Sequence, residues 1–194
     1  MLDRIAECLF WIGRYTERAE NHARLLDVYY HLREEDGEDA EATWRRIAEA
    51  IGDCALYEER YDAYRENDVL FFLTLDWTQP NSILSCVTQA RNNLKKIREQ
   101  LPAELWNLLN GFYLWLKNMR VEEIVQMSPH GFFQGLKERL AAFQGTAVSI
   151  ALRDESWHML ESGRYLERSE NVVRLLQSVG RIAPEQRKGA YGYT

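Results

Sequence analysis

The chain has little of what breaks helices or staples loops. Only four of its 194 residues are proline, and Gly/Asn/Asp turn clusters are few. Long segments rich in Leu, Ala, Glu, Arg and Gln therefore run uninterrupted, and these residues lose least rotamer freedom in a helix. An all-α fold is the first expectation. Cysteine is scarce too: Cys8, Cys54 and Cys86 are odd in number, lack CxxC spacing and fall on expected helices. That pattern argues against thiolate metal chemistry and suits small buried thiols in a reducing cytoplasm.

Positive charge is also short. Lys and Arg number 24 against 30 Asp and Glu, a net charge of −6. A long-range field attracting phosphate backbones is thereby excluded, and nucleic acid with it, although local arginine clusters remain able to hold an anion. Long apolar runs are missing as well. "VLFFLTL" is too short to cross a bilayer, and "MLDRIAECLFWIGRY" places Asp3, Arg4 and Glu7 where a signal-peptide core tolerates no charge. The expectation is a cytoplasmic chain without a membrane partner. No Gly-rich phosphate loop of the GxxxxGK[ST] kind occurs, so no nucleotide or other cofactor is assigned.

What is present is helical punctuation and a sizeable core: 46% of residues are hydrophobic and 12% aromatic, enough to fill one domain of this length. Leu2, Ile5, Leu9, Ile12, Thr16, Ala19, Ala23, Leu26 and Tyr30 alternate steps of three and four, the seam of a helix from about residue 3 to 33 with Asp3 as its cap. Two shorter helices follow over 40–66, broken near "GDC", then an apolar segment at 69–75. A helix opens at "PNS" and runs to about Leu101; Pro102 opens another; Ser128-Pro129 caps one that continues to about Leu152. Asp154 is placed to cap the last, 155–180, with a seam of Leu152, Met159, Ser162, Leu166, Ser169, Val173 and Leu176. The expected architecture is a bundle of about six to eight helices, a single domain over 1–182, with two long repeat-related helices at its ends and a flexible tail over 183–194.

Those two helices share a motif. "GRYTERAENHARLL" at 13–26 returns as "GRYLERSENVVRLL" at 163–176, with ten of fourteen positions identical. The flanks have drifted: 2–12 and 152–162 agree only at Leu2/Leu152, and 27–33 and 177–183 agree nowhere. Something holds the motif while its surroundings change. At about 100° per residue, Gly13, Glu17, Glu20 and Arg24 form a stripe to one side of the seam, Tyr15, Arg18 and Leu25 lie on the other flank, and Arg14 and Asn21 point away.

Three readings fit that pattern. The charges form a solvated face laced by pairs such as Glu20–Arg24. Or the copies meet, Glu17 with Arg168 and Glu167 with Arg18, since reciprocal contacts follow when equivalent surfaces pair. Or the arginines converge on a carboxylate or phosphate, with Glu17 or Glu167 as an acid/base or amine-binding group. The residues that any of these would use are Arg14, Tyr15, Glu17, Arg18, Glu20, Asn21 and Arg24, with Arg164, Tyr165, Glu167, Arg168, Glu170, Asn171 and Arg174.

"MLDRIAECLFWIGRYTERAENHARLLDV", "NSILSCVTQARNN", "LWNLLNGFYLWL" and "RDESWHMLESGRYLERSENVVRLL" together resemble the bacterial alpha-E domain, a helical domain named for its glutamate-arginine motif. The resemblance places that motif on Glu17-Arg18 and Glu167-Arg168 and implies that this is a short member. It also implies an association with circularly permuted ATP-grasp ligases and transglutaminase-like proteins, systems that make or modify amide bonds. The expected function is accordingly an accessory or scaffold domain that binds such a partner enzyme or a carboxylate-bearing peptide. An enzyme acting on amide bonds or carboxylates, and a structural self-associating bundle (a homo-oligomer), are the alternatives.

Weaker constellations complete the reading. Arg153, Asp154 and Glu155 cluster at a helix junction, where a cap is the simplest role and a contribution to the motif the alternative. Glu155 and His158 make a single Glu-x-x-His, and a di-metal bundle site needs two plus further glutamates; His22, His31 and His130 do not complete it, so no metal is assigned. Trp106, Phe112, Tyr113, Trp115 and Leu116 nearly encircle a helix and read as core rather than as a cofactor box.

Overall fold

The computed structural model describes residues 3–36, 40–51, 54–126, 128–150 and 155–186. Among the described residues there are nine α-helices, a 3-10 turn and no strand: α1 (Asp3–Asp36), α2 (Ala40–Ile51), α3 (Cys54–Glu58), α4 (Glu66–Thr74), α5 (Ile83–Ile97), α6 (Ala103–Lys117), α7 (Val121–Gln126), α8 (Pro129–Ile150) and α9 (Glu155–Gln186). This is the all-α bundle expected, with two long helices near its ends. Two helices of 5 and 6 residues, α3 and α7, raise the number above six to eight.

Local chemistry sets most boundaries. Ser82 caps α5, its Oγ accepting from the Ser85 backbone N–H at 3.1 Å. Pro102 stands one residue before α6 in an extended geometry, as the cap residue rather than the first helical one. Ser128 departs from expectation. Its φ is 71°, in the left-handed region, so it precedes α8 without the extended backbone of a capping serine. The last helix continues to Gln186, four residues beyond the Ile182 at which the sequence reading ends the domain. Arg153 and Asp154 lie outside the described residues.

Helix α1 is the central element, packed along α9, α5 and α8. Six of its nine seam positions are buried as the spacing predicts, Leu9, Ile12, Thr16, Ala19, Ala23 and Leu26 all at most 3% exposed, while Ile5 and Tyr30 are half-buried and Leu2 lies outside the described residues. Each large member of that seam is worth about 1.5–3 kcal/mol of apolar burial. Thr16 is admitted because its hydroxyl donates to the Ile12 carbonyl at 2.8 Å. The aromatic helix α6 belongs to the core. Phe112 and Leu116 are buried, while half-buried Tyr113 and Trp106 lie under the Arg91 guanidinium at 4.6 and 5.2 Å.

The seam expected on α9 is not a buried seam. Met159, Ser162, Leu166, Ser169, Val173 and Leu176 are exposed, and Leu152 lies outside the described residues. α9 instead buries Leu160, Glu161, Gly163, Glu167 and Asn171, the face turned to α1. The physical reason is coverage: α5 and α8 lie over the seam of α1, and no described helix lies over the equivalent stripe of α9.

Candidate functional site

The repeated motifs meet each other. A Cβ on Gly13 would fall inside the carbonyl oxygen of Leu160, and one on Gly163 inside that of Phe10, which stands 150 positions before Leu160. Each glycine thus admits the other helix's backbone, and no larger residue would fit. Residues 10–14 meet 160–164, and Asn21, His22 and Leu25 meet Asn171, Arg174 and Leu175 farther along, so α1 and α9 run parallel.

From that crossing the charges pair reciprocally. Arg18 Nε and Nη2 donate to Glu167 Oε1 and Oε2 at 2.7 and 3.0 Å. Arg168 Nε and Nη2 donate to Glu17 Oε1 and Oε2 at 2.7 and 3.1 Å. These are two bidentate forks, the geometry that guanidinium offers and ammonium does not. A second arginine flanks each carboxylate: Arg14 Nε stands 2.6 Å from Glu167 Oε2, and Arg164 Nε 3.5 Å from Glu17 Oε2. Of the three readings open to the repeat, the structure shows the reciprocal pairing of Glu17 with Arg168 and Glu167 with Arg18: the charges are themselves the contact between α1 and α9.

The two halves differ in enclosure. Glu167 is fully buried, and Arg18 also donates from Nη1 to Asn81 Oδ1 at 3.0 Å, closing that side with the residue before the Ser82 cap. Burial alone would raise the Glu167 carboxyl. The Arg18 hydrogen bonds and the charges of Arg18 and Arg14 outweigh it, and its pKa lies below the ordinary glutamate value. Glu17 is 5% exposed, but its partner Arg168 has a side chain 52% exposed. On Arg168 the hydrogen bonds to Glu17 outweigh desolvation and raise the pKa.

Outer contacts repeat the pattern with one substitution. Arg14 Nη2 donates directly to Glu170 Oε2 at 2.8 Å. In the other half Gln144 of α8 is inserted: Arg164 Nη2 donates to its Oε1 at 3.2 Å, and its Nε2 donates to Glu20 Oε2 at 2.6 Å. Arg164 also holds Glu161 at 2.7 Å. Glu20 takes Arg24 at 2.6 Å and Glu170 lies 3.9 Å from Arg174, the same i,i+4 pair on each helix. Tyr15 stacks on Trp11 and lies 5.8 Å from the Arg18 guanidinium, whereas its counterpart Tyr165 is 59% exposed.

On the open side Glu17, Glu20, Asn21, Arg24, Arg168, Asn171, Val172 and Leu175 line a groove of about 360 Å³. Its two exposed guanidiniums, Arg24 and Arg168, are each paired with a carboxylate of the same groove, Glu20 and Glu17. Glu155 is exposed at the first residue of α9, two turns from Gly163, and takes no part in the ion pairs described.

Several participants escaped the sequence reading. Asn81, Gln144 and Glu161 lie outside the repeat, and only contact across helices reveals them; the helix spacing of Glu161 to Arg164 was the one available signal. His22 enters the sequence reading only among the histidines that complete no metal site. It is buried, and burial first, with the charges of Arg18 and Arg174, lowers its pKa to about 4. Asp27 was also missed. Its carboxylate accepts from His130 Nδ1 at 2.8 Å and Lys137 Nζ at 2.6 Å, and His31 Nδ1 lies 3.6 Å away. This is the described residues' one group with three possible metal ligands, and the Lys137 ammonium already supplies a cation to it.

The Alpha-E family model, described as "a predicted alpha-helical domain with a conserved ER motif", matches residues 1–192. The chain belongs to the Alpha-E family. It is similar to an uncharacterized protein of Mycobacterium bovis and to uncharacterized proteins of two strains of Mycobacterium tuberculosis, 27% identical over 193 residues in each case. Those matches cover 90% of this chain and 22% of each relative, so the chain spans about a fifth of the length of the curated relatives it matches. No solved structure matches it.

Proposed function

We propose that the chain is an accessory or scaffold domain, working in the cytoplasm within a system that forms or modifies amide bonds. In this reading it binds a partner enzyme of the ATP-grasp or transglutaminase-like kind, or a carboxylate-bearing peptide. One observation carries the non-catalytic part. Both motif glutamates are buried and each is held by two guanidiniums, so both carboxylates are already engaged within the protein. Their role is to fix the parallel crossing of α1 and α9, an arrangement that specifies geometry more than it adds stability. The binding part is motivated by the open groove, where Arg24 and Arg168 present exposed guanidiniums. No helix among the described residues is long and apolar enough to cross a membrane.

The reading is tested by titrating the chain with a short glutamate-rich peptide bearing free carboxylates and with its amidated counterpart. Binding of the first, absent for the second and lost in Arg24→Gln/Arg168→Gln, is the expected result. Equal binding of both peptides, or none of either, counts against a carboxylate site. The enzyme alternative retains one favourable observation, that Glu17 lines the groove. Turnover of an amide or ester substrate by the purified chain, abolished in Glu17→Gln, would replace the scaffold reading by that one.

A further inference from the structure

Beyond the Glu-Arg pairs, α1 and α8 are tied by a second polar cluster. Asp27 and His31 stand one turn apart on α1, and His130 and Lys137 stand two turns apart on one face of α8. The buried Asp27 carboxylate lies between them. Its Oδ1 accepts from His130 Nδ1 at 2.8 Å and lies 3.6 Å from His31 Nδ1, and its Oδ2 accepts from Lys137 Nζ at 2.6 Å. The two imidazoles meet edge to face, with ring centres 4.7 Å apart, and each has a side chain 52% exposed. The repeat does not account for this group, because Gln177 and Arg181 stand where a second Asp27 and His31 would fall.

We infer that Asp27, His31 and His130 form a binding site for a divalent transition-metal ion of the zinc class, held between α1 and α8. Spacing carries the assignment. Two donors each about 2.1 Å from one ion stand about 3.0 Å apart at a right angle and about 3.4 Å apart at the tetrahedral angle. The separations from Asp27 Oδ1, 2.8 and 3.6 Å, bracket that interval. Over the same angles two imidazoles on one ion hold their ring centres about 4.5–5.2 Å apart, and this pair stands at 4.7 Å. One donor atom from each of the three residues lies within 4.8 Å of the others, close enough for side-chain movement alone to bring them onto one ion.

Donor chemistry selects the class. Imidazole nitrogen with a carboxylate suits zinc and its first-row neighbours, whereas calcium and magnesium take oxygen donors. Lys137 occupies Oδ2, the oxygen that the ion leaves, and an outer hydrogen bond of this kind orients a metal-ligating carboxylate. The same ammonium repels a dication and weakens the site. On binding, His130 Nδ1 passes the proton it shares with Asp27 Oδ1 to its own Nε2 or to water, and its lone pair takes the metal. His31 Nδ1 leaves the Asp27 carbonyl, 2.7 Å away, in the same manner. With both imidazoles half exposed, the remaining coordination positions open to water or to an incoming donor.

The test is titration of the full chain with zinc chloride, read by calorimetry and by thermal unfolding. The variants are His31→Ala, His130→Ala, Lys137→Gln and, as a control on an exposed histidine outside the cluster, His158→Ala. The expected result is one zinc per chain and a rise in Tm, because the ion joins α1 to α8. Each cluster-histidine variant binds about ten-fold more weakly or worse, and His158→Ala binds as the wild type does. Lys137→Gln, with the opposing charge removed, binds about ten-fold more tightly. Absence of saturable binding at millimolar zinc overturns the inference. So does equal binding by the wild type and both cluster-histidine variants, which puts the ion elsewhere. An unchanged affinity in Lys137→Gln overturns it as well, because Asp27 is then no ligand.

Discussion

Glu167 of α9 and Arg18 of α1, 149 residues apart in sequence, form a bidentate ion pair of 2.7 and 3.0 Å around a carboxylate with no exposed surface. The mirror pair, Glu17 with Arg168, has the same geometry beside open solvent. One interaction is thus present twice in the molecule in two dielectric environments, and the environments separate their energetics.

Glu167→Gln leaves Arg14 and Arg18 without a counter-charge in a buried site and is expected to cost about 3–5 kcal/mol. Glu17→Gln leaves Arg168, half exposed, able to turn to water, and is expected to cost about 1–3 kcal/mol. Urea unfolding of the two variants measures both. Equal losses would mean that enclosure by Asn81 and α5 has no bearing on the pair.

Alanine in place of a helical glycine ordinarily stabilises by up to about 1 kcal/mol. Gly13→Ala and Gly163→Ala are expected to reverse that sign and lose about 2 kcal/mol or more, because each Cβ collides with a backbone carbonyl of the facing helix. Gly145, with open space around the corresponding Cβ position, is the control expected to show the ordinary gain. Thermal unfolding of the three variants checks the prediction.

The fully buried His22, with a pKa lowered to about 4, makes the fold acid-sensitive. The unfolded chain takes up a proton near pH 6.5 and the folded one resists it until about pH 4. Its contribution is complete above about pH 6.5 and falls by up to about 3 kcal/mol toward pH 4. Glu167 adds a loss of its own as pH falls through its lowered carboxyl value. Denaturant unfolding across that range shows the slope, and His22→Gln is expected to flatten its upper part.

Much of this was legible in sequence because it rests on local chemistry. Helix seams, the Ser82 cap and the break at Pro102 follow from periodicity and turn residues. The pairing of Glu17 with Arg168 and Glu167 with Arg18 was one of three readings open to the repeat, since identity at both ends shows that residues are kept and not what they touch. The face of α9 was misjudged for a definite reason. Periodicity reports which side of a helix is suited to burial, not whether another helix arrives to bury it, and Leu166 and Val173 are as apolar as any core residue while standing in solvent. Asn81, Gln144 and Asp27 act through contacts between helices far apart in sequence, which no spacing rule reaches.

The central claim, that the motif holds α1 and α9 together, is tested most directly by a double-mutant cycle on Arg18→Gln and Glu167→Gln, read as unfolding free energy. A coupling energy of about 2 kcal/mol or more, with the double variant less damaged than the sum of the singles, is the predicted result. A coupling below about 0.5 kcal/mol would contradict it, because two residues joined only by proximity on a solvated surface behave additively.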